Sequence, residues 1–121
     1  MRTMNGGTRF EQWQIVLVPF PYSDLSGVKR RPALVLSTSV FNERHDDLVC
    51  CMITSHLDGE LGCPTFSRKD LSSGNLAFDS KIKPYRLFTV EKDLVVKKLG
   101  VLGASKAKET RNQLLRLFGF S

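Results

Sequence analysis

The chain has 121 residues, near-average hydrophobic (41%) and charged (25%) fractions, and 18 Lys and Arg against 12 Asp and Glu, for a formal charge of +6. That length suits one ordinary domain able to bury about two thirds of its unfolded surface, and the composition excludes disordered and fibrous classes. The basic balance favours an anionic partner: nucleic acid, an anionic membrane surface or an acidic protein.

The first twelve residues, MRTMNGGTRFEQ, are polar, with Gly6 and Gly7 opposing helix and no apolar signal core. They predict a flexible lead over 1–12 followed by a single domain over 13–121. No run approaches the ~20 apolar residues of a membrane span, so a cytoplasmic location without a membrane partner is expected. From Trp13 to Phe20 the chain is apolar and rich in β-branched and aromatic residues, as in a strand buried on both faces, with Pro19 and Pro21 expected to end it.

Pro21 to Arg31 contains the turn formers Ser23, Asp24, Ser26 and Gly27 and predicts an exposed loop ending in Lys29, Arg30 and Arg31. Pro32 biases Arg31 to an extended conformation, and Ala33 to Ser37 predicts the next strand. A hairpin of this kind holds three cations beside a sheet. Val40 to Asp47 predicts a polar connection with a turn of helix, and Leu48 to Thr54 a third strand.

Ser55 to Pro64, with Gly59 and Gly62, predicts a flexible loop, and Pro64 to Ser67 a short strand. In Leu76 to Ile82, Leu76, Phe78, Ser80 and Ile82 alternate with Ala77, Asp79 and Lys81, predicting a half-buried strand with the first set inward; Arg86 to Val90 predicts another. A helical turn over Glu91 to Leu94 and a last strand over Val95 to Leu102 follow. Ala104, Ala107, Leu114, Leu115 and Phe118 recur at helical intervals, predicting a helix over Ala104 to Phe118 with Ser105 as N-cap. The fold class expected is mainly β with a C-terminal helix: a small, partly open barrel.

Cys50, Cys51 and Cys63 are odd in number, and neighbours in a strand point to opposite faces, so no disulfide framework is expected. His45 and His56 supply no HxxxH spacing and the cysteines no CxxC, so neither a metal site nor a cofactor is expected. GxSxG, P-loop, HExxH and GxGxxG signatures are absent from the sequence.

Four segments together resemble the PemK/MazF family of type II toxins: IVLVPFPYSDLSGVKRRPALVLS at 15–37, MITS at 52–55, FDSKIKPYRLFTV at 78–90 and KKLGVLG at 97–103. The resemblance covers nearly the whole chain after residue 12, its first segment being the most specific. It implies an SH3-like, partly open barrel (CcdB/MazF-like) and a homodimer. It further implies a metal-independent endoribonuclease that cleaves single-stranded RNA at short sequences and is held inactive by a cognate antitoxin. The family's catalytic arginine, before Pro at the second strand, falls on Arg31; its threonine, ending the third strand, falls on Thr54; an aspartate active in some members falls on Asp79. Members commonly carry Gly-Asp or Gly-Glu ahead of the first strand, where this chain has Trp13 and Gln14, so that acidic position is lost.

RNA cleaves itself when a 2′-hydroxyl attacks the adjacent phosphate, and a catalyst must align the attack and stabilise the charge that develops. A guanidinium is permanently charged and matches phosphate oxygens, which suits Arg31; the hydroxyl of Thr54 can hold a non-bridging oxygen. The bland readings are an ion pair for Arg31 and a strand residue for Thr54. Lys29 and Arg30 suit phosphate positioning, and Ser55 lies in the loop expected to shape the pocket. Tyr22 is the best candidate to stack on a base, whereas Phe20 and Phe66 are expected in the core. Two other classes stay open: a CcdB-like protein that poisons DNA gyrase, and a non-catalytic RNA-binding barrel.

Overall fold

The computed structural model describes residues 9–21 and 28–120. Seven strands form one curled sheet in the order β4-β6-β3-β2-β1-β7-β5: β1 (Gln14–Pro21), β2 (Val28–Val35), β3 (Asp47–Thr54), β4 (Thr65–Phe66), β5 (Leu71–Gly74), β6 (Ser80–Glu91) and β7 (Lys97–Leu102). Among the described residues two α-helices, α1 (Ser39–Arg44) and α2 (Ala104–Phe118), accompany it. All strand neighbours pair antiparallel.

Side-chain alternation divides the core into two clusters, one on each face of the central strands. Phe10, Val16, Val18, Ala33, Val35, Leu48, Cys50 and Val90 form the first. Ile15, Leu34, Cys51, Ile53, Phe66, Ile82 and Leu102 form the second, with Ala107 of α2 packed on it. Burial on both faces is why β1 reads as continuous apolar sequence. Cys50 and Cys51 fall in different clusters and are free thiols, as is Cys63. Burial pushes the Cys50 thiol up to about 12.

Several expected boundaries shift. β1 continues through Pro19 to Pro21, and β2 begins at Val28, so Lys29, Arg30 and Arg31 stand in a strand opposite Phe20, Pro19 and Val18 instead of in a loop. The two strands expected over 76–82 and 86–90 are one, β6, which starts at Ser80; a bulge around Pro84–Arg86, opposite the Cys51–Met52 step, preserves its continuity. β5 was hidden in sequence by Ser and Gly, and it survives because Gly74 packs against Gly100 of β7, where an added Cβ would meet backbone at 2.3 Å. Helix α2 has the expected span, but Gly103 is its N-cap and Ser105 lies exposed within it. Gly119, at φ 68°, closes it by donating to the Arg116 carbonyl, with Phe120 donating to Leu115.

Residues 9–12 are anchored, unlike the poorly held lead expected through Gln12. Phe10 is buried, its carbonyl accepting from the Asn42 side chain at 3.0 Å; Gln12 donates to the Leu36 carbonyl, and Arg9 pairs with Glu43. Asn42, itself buried, also donates to the Ser37 carbonyl and accepts from the Ser37 hydroxyl. That buried network is satisfied, which ties the chain's start to α1.

Candidate functional site

The site grows out of one interrupted ladder. β2 pairs with β3 at Val35↔Cys50, Leu34↔Cys51 and Ala33↔Met52, and the pairing stops there. Pro32 has no N–H to extend it. Continued two residues further, the same register would set Arg31 against Thr54; instead the strands part, and a cleft of about 370 Å³ opens between them.

Lys29, Arg30, Arg31 and Pro32 line one side, held in place by β1 on their other edge. Ile53, Thr54 and Ser55, at the end of β3, line the facing side, and Leu99 contributes an apolar patch. Asn75 to Phe78 and Ser80, the segment leading into β6, make a third wall. Three cations and no carboxylate are found among the described residues that line the cleft, so its field favours an anion.

Thr54 is 9% exposed, and its Oγ1 accepts from the His56 N–H at 3.1 Å. Among the described residues no protein group accepts its hydroxyl proton, which leaves that proton for an anionic ligand. Arg31 is half-buried, whereas Lys29 and Arg30 are exposed. The structure thus gathers Arg31, Thr54, Ser55, Lys29 and Arg30 in one cleft. Asp79 is exposed and does not itself line the cleft, although Phe78 and Ser80 on either side do. Tyr22 lies outside the described residues. Phe66 is buried in the second cluster, and Phe20 packs edge-on against Phe88 at 4.8 Å between ring centres.

Three features escaped sequence reasoning. Phe78, expected to point inward, is 71% exposed at the cleft, because β6 begins two residues after it. Lys81, expected on the solvent side, is 0% exposed. It sits opposite Thr54 in the β3–β6 register and pairs with Asp58 and with Glu60 (3.0 Å), both in the loop that follows Thr54. Glu60 also accepts from the Tyr85 hydroxyl at 2.6 Å and pairs with Lys83 at 3.5 Å. The Tyr85 hydrogen bond, then Lys81, hold the Glu60 carboxyl down at about 2, and Lys81 lowers Asp58. The only sequence signal for this latch was a pair of carboxylates in a loop within reach of Lys81 and Lys83.

The third feature concerns the departure at Trp13-Gln14. Trp13 has φ 72°, a left-handed conformation in which glycine is unstrained, and Gln14 is buried with its side-chain oxygen accepting from Glu11 N–H at 3.2 Å. Gln14 therefore serves the local turn into β1 and not the cationic cleft.

A single curled antiparallel sheet, packed on one face by a helix and parted between two central strands by a cleft lined with three cations, defines a small β protein of the half-barrel class. Residues 11–118 match the family model of the PemK-like, MazF-like toxin of type II toxin-antitoxin systems, and the chain belongs to that family. Solved structures of similar fold include MazF in a MazE-MazF crystal from Deinococcus radiodurans (23% identity, TM-score 0.75, covering 92% of this chain and 97% of that one). An endoribonuclease from a Mycobacterial species is similar over 98% of this chain and 96% of its own (17% identity, TM-score 0.74). The toxin MazF-mt6 of Mycobacterium tuberculosis covers 86% and 96% (17% identity, TM-score 0.67). No curated protein matches the chain in sequence. Among the described residues no helix is long and apolar enough to cross a membrane.

Proposed function

We propose that this toxin is a metal-independent, sequence-selective endoribonuclease acting on single-stranded RNA. The observation that carries the reading is the parting of β2 from β3 at Pro32, which leaves Arg31 and Thr54 facing one cationic cleft. A scissile phosphate seated there meets the Arg31 guanidinium, which stabilises the charge that builds as the 2′-oxygen bonds to phosphorus and the 5′-oxygen departs. Thr54 donates its hydroxyl proton to a non-bridging oxygen, fixing the phosphate for in-line attack. The 2′-hydroxyl proton leaves to a base, for which Asp79, exposed between the lining residues Phe78 and Ser80, is the candidate, and the departing 5′-oxygen takes up a proton from solvent; the ends are a cyclic 2′,3′-phosphate and a 5′-hydroxyl. Lys29, Arg30 and Ser55 hold the flanking backbone.

The test is incubation of the purified chain with mixed-sequence RNA in EDTA. Wild type cleaves; Arg31→Ala loses about 100-fold or more, and Thr54→Val about 10-fold or more. Equal absence of cleavage by wild type and Arg31→Ala would remove the enzyme claim, and salt-sensitive binding without turnover would leave a binding barrel.

The natural partner under this reading is a cognate antitoxin, supported by the similar Mycobacterial endoribonuclease solved in complex with its own; an acidic antitoxin segment is the complement of the cationic cleft. The active form is a homodimer. Leu117, Phe118 and Phe120 remain exposed at the end of α2, apolar surface of the kind a second copy covers. Light scattering that returns a monomer at every concentration would contradict the dimer.

A further inference from the structure

We infer that Phe78 is a base-stacking platform that holds an unpaired nucleobase beside the scissile phosphate, an inference that rests on the ribonuclease reading above. Phe78 is the only aromatic side chain among the described residues that line the cleft, and it is 71% exposed although the neighbouring Ser80, Lys81 and Ile82 are all buried. An aromatic ring left in water at the wall of a cationic cleft has an unused apolar face. Its occupant must be planar and must accompany a negative charge held by Lys29, Arg30 and Arg31. A nucleobase attached to its own backbone phosphate meets both conditions, and a base of single-stranded RNA is already free of its pairing partner.

The wall is preformed. Asn75 N–H donates to the Leu99 carbonyl at 3.0 Å, and its side-chain oxygen accepts from Leu76 N–H at 2.9 Å. The Ser80 hydroxyl donates to the Phe78 carbonyl at 2.9 Å, fixing the backbone that carries the ring. Gly74 and Gly100 in close contact anchor the start of the segment. Asn75 also lines the cleft, and with its oxygen engaged its amide NH₂ is a donor of the type that a base-edge acceptor requires.

Stacking on one aromatic ring changes affinity by about 10-fold or more, and it tolerates any aromatic side chain. The test uses short single-stranded 2′-O-methyl RNAs, which lack the attacking hydroxyl, carrying the fluorescent base 2-aminopurine at one position at a time. With wild type, one position is quenched on binding. Phe78→Ala and Phe78→Leu abolish that quenching and weaken binding about 10-fold, Phe78→Trp retains both, and on cleavable RNA Phe78→Ala raises KM more than it lowers kcat. Quenching unchanged in Phe78→Ala, with binding intact, would overturn the stacking role and leave the ribonuclease reading standing. Failure of wild type to bind any of the RNAs would overturn both. Because the ring is mostly exposed, its replacement leaves the core in place, and an unaltered thermal transition confirms that.

Discussion

Trp13 shows how one residue can contradict a local rule and still be held. A left-handed φ costs a non-glycine residue about 1 kcal/mol or more, and it persists here because the chain is fixed on both sides. Trp13 N–H donates to Val35 at 2.7 Å, its carbonyl accepts from Leu102, and its ring packs on the second core cluster. Trp13→Ala loses the packing and keeps the strain; Trp13→Gly loses the same packing and relieves the strain. The glycine variant should therefore be more stable than the alanine variant by about 1 kcal/mol in urea unfolding, while both fall below wild type. An alanine variant equal to or above glycine would show that the turn is not strained. At the same scale, Arg31 and Phe78 differ instructively: the first owes its place to the next residue being Pro32, the second to a strand that starts later than its alternation suggested.

Among the elements, the loop between β3 and β4 is defined by what it pairs with. Lys81 lies on β6 directly opposite Thr54, and its buried ammonium is compensated by Asp58 and Glu60 reaching over from that loop. A loop expected to be flexible is thus latched to the strand beside the proposed catalytic threonine. Both carboxyls sit below their ordinary range in the folded protein, so the folded state binds fewer protons than the unfolded chain as pH falls. The contribution of Glu60 to stability is full above about pH 4.5, its ordinary value, and is lost as pH drops toward about 2; that of Asp58, also lowered, is lost in the same direction. Thermal unfolding should accordingly separate wild type from Glu60→Gln near neutral pH, with the gap narrowing steadily below about pH 4.5. A gap that stays constant or widens in acid would mean that Glu60 is not held as an anion by Tyr85 and Lys81.

For the molecule as a whole, the formal charge of +6 matters less than its placement. Lys29 and Arg30 are exposed on the edge of β2 that β3 does not cover, beside a cleft whose described lining includes no carboxylate. Binding of an uncleavable single-stranded RNA should weaken linearly on a log–log plot against salt. Lys29→Ala and Arg30→Ala should each lower the slope by about 0.7 if each neutralises one phosphate. Slopes identical to wild type would place the RNA backbone elsewhere. Neutralising Lys108 or Arg111, exposed on α2, should leave the slope unchanged.

Much of this was written in the sequence. The two-sided burial of β1, the split of Cys50 from Cys51 and the span of α2 follow from periodicity, because burial on two faces or one stripe imposes its own repeat. Pro32 marked Arg31 before any fold was known, since its backbone restriction is local. What only the tertiary structure decided is which residues become neighbours across the sheet. Nothing in the sequence says that β2 and β3 part at Ala33 and Met52, that Lys81 is buried against a loop over twenty residues earlier, or that Phe78 stays in solvent. Those outcomes depend on strand register and on where a bulge absorbs extra residues. Register is a relation between two segments, so neither segment carries it alone.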